Sequence, residues 1–290
     1  MNMIQFLGAL ELGLLYGVIT IAVYLTFRVI NFPDLTVDGS FPLGAAVASA
    51  LIVKGVDPVF ATLAAILAGC IAGFVTGYLH VRWKILGLLA GILTMTALYS
   101  INLRIMGKPN IALLMEPTLF QGSNTVLPAL ATIAIVLIVL LTIFLGSQFG
   151  LALRSTGINP RVCPAYGINV GVMTIIGLCL SNGLVAFAGA LFAQVHGFAD
   201  ISMGTGTLIV GLAAVIVGET LFHSYRIWLI LISCVLGSIL YYLVIALALN
   251  TNFAGLQSSD LKLVTSVLVV VALLFPQFRQ KILSKYRGIS

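Results

Sequence analysis

Residues 125–146 read TVLPALATIAIVLIVLLTIFLG, an apolar stretch without a single charge. A helix rises about 1.5 Å per residue, so about 20 such residues cross the hydrocarbon core of a bilayer. Similar stretches recur along the chain and alternate with short loops that hold most of the charges. We place nine predicted spans near residues 8–29, 40–54, 58–79, 85–104, 125–146, 171–195, 204–219, 227–249 and 262–278. The pattern predicts an all-α, polytopic transmembrane bundle of eight to ten spans, in which the short second and seventh spans indicate interrupted helices.

The composition agrees with lipid as the main solvent. Of the 290 residues, 61% are hydrophobic and 8% are charged, whereas about 25% are charged in a typical soluble domain. No linker or hydrophilic block divides the chain, so we predict one transmembrane domain over residues 1–290. Residues 1–5 have no basic cluster, and no small-residue cleavage site follows the first apolar run. That run is therefore predicted to be a retained span and not a signal peptide.

Lysine and arginine positions predict the orientation, because basic residues accumulate in cytoplasmic loops. With the amino terminus outside, ten basic residues face the cytoplasm, namely Arg28, Arg82, Lys84, Arg154, Arg161, Arg226, Arg279, Lys281, Lys285 and Arg287. Four face outward, namely Lys54, Arg104, Lys108 and Lys262. We therefore predict an outside amino terminus and a basic cytoplasmic tail at residues 279–290. The net charge of +6 then reports membrane topology and not nucleic-acid binding.

Small residues predict how the helices pack. Gly69, Gly73 and Gly77 recur at intervals of four, which puts them on one helix face where another backbone can approach closely. The four cysteines have no metal-ligand spacing, and three lie in apolar segments, which is typical of packing residues.

Residues 31–42, NFPDLTVDGSFP, interrupt the apolar pattern. Pro33 and Pro42 each lack a backbone donor and disfavour helix in the residue before them. Non-helical backbone at membrane depth persists only when it is buried in protein or lines a wet cavity. Two interpretations remain open: the carboxylates cap the next helix, or the segment belongs to the translocation path or a gate. The candidate residues are Asn31, Phe32, Pro33, Asp34, Asp38 and Gly39.

Residues 157–169, GINPRVCPAYGIN, form a second unusual segment, predicted to be cytoplasmic. Asn159 can cap a helix, Pro160 suits the first helical position, and Gly167 can end it. The pattern predicts a short surface helix, which is either a plain connector or a docking element.

A third segment contains His196 and Asp200 and leads into a glycine-rich, interrupted span at residues 204–218, followed by Glu219 and His223. A proton relay or a metal site is conceivable, but the spacings match no ligand pattern, and interfacial polar residues are the simpler interpretation. The sequence also has no phosphate-binding loop, no GxSxG and no HExxH motif. We therefore expect no catalytic or metal site, and any ATP chemistry must come from another polypeptide.

These segments resemble a known family. Residues 13–45, together with GLALRSTGINP at 150–160 and GIN at 167–169, are similar to permease subunits of bacterial ABC importers in the branched-chain amino-acid and ribose permease superfamily. The tryptophan/tyrosine-type branch of related solute permeases carries a similar FPDLTVDGS segment. The resemblance spans most of the chain.

The resemblance implies partners and roles. A second permease copy forms a homodimer with this chain, an ABC ATPase subunit docks on each copy, and an extracytoplasmic binding protein delivers a small polar solute such as an amino acid. ATP and Mg belong to the ATPase, and this chain binds no cofactor and no nucleic acid. The implied location is the lipid of the bacterial inner membrane. The implied coupling residues are Asn159, Pro160, Arg161, Tyr166 and Gly167, whereas Pro164 departs from the family pattern.

Other classes remain as alternatives. An ion-coupled secondary transporter needs carboxylates near the bilayer midplane, but Glu11 and Glu219 are predicted near span ends, and Asp34 and Asp38 in a junction. A membrane enzyme needs a catalytic constellation, and a passive scaffold has no need of two broken segments.

Overall fold

The structure, a computed structural model, describes residues 3–121, 126–221 and 225–250, together with residues 266, 267 and 270. The helices in this part are α1 (Met3–Tyr24), α2 (Val37–Val53), α3 (Pro58–Trp83), α4 (Gly87–Met106), α5 (Val126–Gly146), α6 (Gln148–Ile158), α7 (Val170–His196), α8 (Thr207–Leu221) and α9 (Ile227–Asn250). A π-helical turn, Leu25–Val29, extends α1. Six of these helices, α1, α3, α4, α5, α7 and α9, are long and apolar enough to cross a membrane. The predicted polytopic helical bundle is confirmed.

Each of the first eight predicted spans corresponds to a helix, and α2 and α8 are the two short ones. The ninth predicted span, near 262–278, lies outside the described residues except at 266, 267 and 270, and the basic tail at 279–290 lies wholly outside them. The sequence analysis missed α6, which begins where the Ser147 hydroxyl accepts a hydrogen bond from the Gly150 N–H at 3.3 Å.

The second span, predicted near residues 40–54, begins three residues earlier than predicted. Helix α2 already begins at Val37, and Pro42 lies inside it. Proline has no N–H to donate, so the Asp38 carbonyl four residues earlier lacks its helical partner. Gly204 packs against that carbonyl so closely that an added Cβ would overlap the oxygen. The interruption is therefore confined to the residues before α2.

Helix α2 lies inside the bundle against α7 and runs in the same direction. The Ser40 hydroxyl donates to Asn182 at 2.7 Å, and further along both helices Gly44 meets the backbone of Ala186. Because Asn182 is near the middle of the 27-residue helix α7, α2 begins midway along α7.

Helix α8 lies against α1 in the same way. Gly211 meets the Val23 side chain, and Glu219, near the far end of α8, forms an ion pair with Arg28 in the π-helical turn. Both contacts advance along the two helices in the same order, so α8 runs parallel to α1.

Helices α1 and α7 run in opposite directions. The Ser181 hydroxyl donates to the Ala22 carbonyl at 2.9 Å, whereas Ile30, later in the chain, meets Gly177, which is earlier. The half-length helices α2 and α8 therefore point in opposite directions, and their amino-terminal ends meet inside the bundle. This is the arrangement of discontinuous helices in many transporters.

The predicted glycine face of α3 lies against α7. A Cβ added at Gly69 or Gly73 would overlap backbone carbonyl oxygens of α7, and one added at Gly77 would lie 3.0 Å from the Ile175 side chain. The two backbones are therefore in direct contact over two helical turns, which no larger residue on this face of α3 would permit.

A short antiparallel ribbon closes one end of the bundle. Strands β1 (Asn110–Ala112) and β2 (Phe198–Asp200) follow α4 and α7 respectively. Since the segment at residues 157–169 precedes α7, the ribbon and that segment lie at opposite ends of this helix.

Candidate functional site

The chain reverses direction immediately after α1. The turn Leu25–Val29 is π-helical, a form that recurs at functional sites, and the Phe32 N–H then donates to the Thr26 carbonyl at 2.8 Å. Asn31 adopts a left-handed conformation with φ of 56°, a region that asparagine enters more readily than most residues. Pro33 is exposed, whereas Phe32 is buried. These residues direct the chain back into the bundle.

Asp34 is fully buried at the start of α2, and each of its carboxylate oxygens accepts a hydrogen bond. One carboxylate oxygen accepts from the Thr36 N–H at 2.9 Å and the other from the Asn182 amide at 2.7 Å. The Asn182 oxygen accepts from Ser40, and the Thr36 and Thr76 hydroxyls bond to each other at 2.7 Å. The network joins α2, α3 and α7 with each of these polar groups paired, as buried polar groups require.

Asp38, in the first turn of α2, bonds to the amino-terminal end of α8. Its two oxygens accept from the Leu208 N–H at 2.8 Å and the Gly206 N–H at 3.1 Å. A carboxylate at this position satisfies free backbone donors and favours the helix dipole. Asp38 therefore does cap a helix, but the helix that it caps is α8 and not α2.

A cavity of about 380 Å³ opens beside Asp38, between α2, α4 and residues 201–206. Its polar wall comprises Asp38, Thr96, Tyr99, Asn102, Ser202 and Thr205. Thr96 and Tyr99 are exposed on the membrane-spanning helix α4. The Thr96 hydroxyl donates to the Leu93 carbonyl of its own helix at 2.9 Å.

Gly39 also lines this cavity. Its carbonyl accepts a hydrogen bond from the Asn102 amide at 3.3 Å. A Cβ at Gly39 would come within 3.1 Å of the Met95 backbone. This close contact holds α2 against α4 at the cavity wall.

The segment at residues 157–169 differs from its prediction. Asn159 was predicted to begin a short helix, with Pro160 at its first position, but Asn159 instead ends α6, and its N–H donates to the Ser155 carbonyl at 2.9 Å. Helix α6 begins at Gln148, so Asn159 lies at the carboxyl-terminal end of a helix and not before its first turn.

A single 3₁₀ turn, Cys163–Tyr166, follows, and Gly167 ends it with φ of 73°. Pro164 lies in the first positions of this turn, where its missing N–H is tolerated. Arg161 and Tyr166 are exposed. The predicted coupling residues are thus all exposed in the segment that precedes α7.

Residues 5–275 match the protein family described as the permease component of the branched-chain amino acid transport system. The chain belongs to this permease family. It is a multi-pass transport protein, the permease subunit of an ABC-type importer.

Curated relatives agree with this assignment. The permease is 42% identical over 263 residues to the tyrosine transport system permease protein of Clostridioides difficile (strain R20291), covering 90% of this chain and 88% of the relative. It is 35% identical over 272 residues to an uncharacterized protein of Rickettsia prowazekii (strain Madrid E), covering 91% and 95%. A nucleoside ABC transporter permease protein of Lactococcus lactis subsp. cremoris (strain MG1363) is 35% identical over 98 residues, 33% of this chain and 31% of the relative. No solved structure matches the chain.

Asp34 and Asp38 of the permease were predicted in a junction between two spans, and they lie between the π-helical turn and the first turn of α2. Both lie where α2 begins, midway along α7. A mid-membrane carboxylate is a feature of ion-coupled transporters, but the relatives are permeases of the importer class and none supports ion coupling.

The polar residues of the third segment do not form one site in the permease. Asp200 lies in β2, where a hydrogen bond from Ser202 keeps the pKa of its carboxyl below the usual value. His196 ends α7, Glu219 is paired at the far end of α8, and His223 lies outside the described residues. Among the residues that the structure describes, no three His, Cys, Asp or Glu side chains come together as metal ligands.

An internal repeat was the signal that the sequence analysis missed. FPDLT at residues 32–36 and FADIS at 198–202 are similar, and each follows a left-handed residue, Asn31 or Gly197. In both copies the aspartate accepts from the N–H two residues later. The repeat marks the two chain reversals that begin the half-length helices.

Proposed function

We propose that the permease imports an amino acid with an aromatic or branched side chain across a bacterial inner membrane, as a homodimer. Support for this solute class comes from the tyrosine transport permease among the relatives and from the family description. In this proposal an extracytoplasmic binding protein delivers the solute, and a separate ATPase subunit binds ATP and Mg. The amino terminus lies outside and the carboxyl terminus in the cytoplasm, as the distribution of lysine and arginine favours.

The proposal that the ATPase docks on residues 157–169 rests on the exposed apolar side chains of this segment. Ile158, Val162 and Tyr166 recur at intervals of four and are 82%, 44% and 79% exposed. This segment lies beyond the end of a spanning helix, where lipid does not cover apolar side chains. Exposed apolar groups in such a place mark protein interaction sites, and the neighbouring Arg161 adds a charge for an acidic partner.

Direct backbone contact links the segment at residues 157–169 to the chain reversal after α1. Gly157 packs against the π-helical turn so closely that an added Cβ would overlap the Val29 carbonyl oxygen. Two residues later Asn31 begins the reversal that leads to Asp34. A displacement of the docking segment therefore acts on the start of α2, and ATP binding drives transport if it favours one packing of these helices over another.

The proposed solute path runs along α4, beside the cavity at Asp38. Two copies that face each other across this surface would enclose the exposed polar groups Thr96 and Tyr99. The arrangement removes these groups from lipid, which is the physical reason to place the path and the dimer axis on this side.

Co-purification tests the docking proposal. We expect Ile158→Ser combined with Arg161→Glu to reduce both recovery of the ATPase with the tagged permease and solute-stimulated ATP hydrolysis at least tenfold. Met115→Ser is the matched control, because Met115 is 96% exposed on the loop after β1, at the other end of the bundle. Undiminished assembly and ATP turnover of the double variant would remove this segment from the ATPase interface.

A further inference from the structure

A buried oxygen without a hydrogen-bond donor belongs to a residue in the wall of the cavity beside Asp38. Asn102 lines the cavity and is fully buried. Its Nδ2 donates to the Gly39 carbonyl, which settles the orientation of the amide, and its Oδ1 has no partner among the described residues. Buried polar atoms in proteins are nearly always paired, so an unpaired oxygen in a cavity wall fits a donor that a ligand supplies.

Asp38 adds negative charge to the same wall. Each of its oxygens accepts one backbone N–H, and a carboxylate has about four acceptor positions, so some remain free. The amino terminus of α8 carries only about half a positive charge, which leaves the carboxylate incompletely compensated. None of the described residues that line the cavity is basic.

The cavity does not suit an anion. Free helix amino termini are the usual anion sites in discontinuous helices, but here Asp34 and Asp38 already occupy the amino-terminal ends of α2 and α8. A ligand carboxylate would meet a second carboxylate and an amide oxygen in place of N–H donors.

The remaining surface of the cavity is mostly apolar. Pro42, Met95 and Ile201 line it, and Tyr99, which is 55% exposed, offers an aromatic face to an organic cation. The volume of about 380 Å³ is at the small end of the roughly 300–1,000 Å³ of ligand pockets. It accommodates one small organic molecule.

We propose that this cavity is a solute-recognition site within the permease, where Asn102 and Asp38 bind a primary ammonium group, the apolar wall holds the side chain of the solute, and the α-carboxylate of an amino acid stays at the open side of the cavity, away from Asp38. The inference rests on the proposed function in one respect, namely that an amino acid travels along this face of α4. It assigns to the permease a selection for the ammonium group that is separate from the selection made by a binding protein.

Direct binding to the full-length permease in lipid nanodiscs, without ATPase or ATP, tests the site. The probes are tritiated tyramine, which has the ammonium group, and 3-(4-hydroxyphenyl)propionate, which has the same ring and no ammonium group. We expect saturable tyramine binding that L-tyrosine displaces and the propionate does not. Asn102→Leu, which removes the acceptor at similar size, should weaken tyramine binding at least tenfold, or about 1.4 kcal/mol. Ser100→Ala, on the exposed surface of α4 outside the cavity lining, should leave it unchanged.

A second variant keeps the test decisive if Asn102→Leu fails to fold. Thr205 is exposed at the cavity rim, so Thr205→Lys adds a positive charge without disturbing the core, and it should also weaken tyramine binding at least tenfold. Equal displacement by the propionate, unchanged affinity in a folded variant, or no saturable tyramine binding would each overturn the site. Those results are distinct from failure of the proposed function, which would show as absent ATP-driven uptake of tyrosine by the permease–ATPase complex even where tyramine binding is intact.

Discussion

Replacement of Asp38 by alanine is expected to destabilise the permease much more than loss of an ordinary helix cap. Asp38 is the only described side chain that bonds the Gly206 and Leu208 N–H groups at the start of α8. With alanine at position 38, two backbone donors inside the bundle lose an ionised acceptor, and the junction of α2 with α8 is left without a polar contact.

The magnitude follows from the two hydrogen bonds. A hydrogen bond to a charged group contributes about 1.5–3 kcal/mol, so two of them give about 3–6 kcal/mol, and the partial exposure of Asp38 favours the lower end. Asp57 offers a matched comparison, because it caps α3 by accepting from the Val59 N–H at 2.8 Å in an exposed position. Loss of an exposed cap costs about 0.5–2 kcal/mol. At about 2–4 °C per kcal/mol, the lower end of about 3 kcal/mol lowers the Tm of Asp38→Ala by about 6–12 °C, whereas the typical cap loss of about 1 kcal/mol lowers the Tm of Asp57→Ala by about 2–4 °C.

A thiol-reactive dye measures both shifts in detergent. Cys234, in α9, is buried and free, so it reacts only when the bundle opens, whereas the partly exposed Cys70 and Cys179 give a signal of the folded state that is subtracted. Equal shifts for Asp38→Ala and Asp57→Ala would refute the reasoning, since they would show that the contact between the half-length helices adds nothing beyond an exposed cap.

Two further substitutions test the packing of the bundle with the same dye. Gly73→Ala should lower the Tm by several degrees, because the added Cβ overlaps a carbonyl oxygen of α7 and overpacking costs about 1–3 kcal/mol; Gly146→Ala, which meets nothing within 4 Å, should leave it unchanged, and equal shifts would contradict the close contact of α3 with α7. The Arg28–Glu219 ion pair is partly exposed, at 54% and 31% for its two side chains, so Arg28→Ala should cost no more than about 1 kcal/mol. Exchange of the two residues should recover that loss, and a larger loss or no recovery would indicate that the pair has another role.

The positions of the long helices followed from local information in the sequence. Each spanning helix satisfies its own backbone hydrogen bonds, so apolar length alone predicted α1, α3, α4, α5, α7 and α9 to within a few residues. The start of α2 was predicted three residues late, and Pro42 lies inside this helix because a missing N–H can be tolerated where Gly204 packs against the freed carbonyl. Helix α6 was missed because it is short and its apolar pattern is weak.

Only part of the candidate site could be predicted from the sequence. Asp34 and Asp38 were recognised as unusual from their neighbours in the chain, but their partners Asn182 and Leu208 are far away in sequence. Asn102 had no local signal at all, since a single asparagine in an apolar helix is compatible with many environments. The repeat of FPDLT as FADIS was the available signal, because the same local turn starts both half-length helices.

By itself, the sequence of the permease determined that the chain crosses a membrane repeatedly, that the apolar pattern is interrupted within residues 31–42, and that its segments resemble those of importer permeases. These properties depend on length, hydrophobicity and short motifs, which are local. Only the tertiary structure decided that the amino-terminal ends of α2 and α8 meet midway along α7, that Asp38 joins them, and that Asn102 lines the cavity beside them. The physical reason is that a buried polar side chain is stabilised by whichever partner the packing brings within hydrogen-bond distance, and close packing through glycine sets that distance between helices remote in sequence.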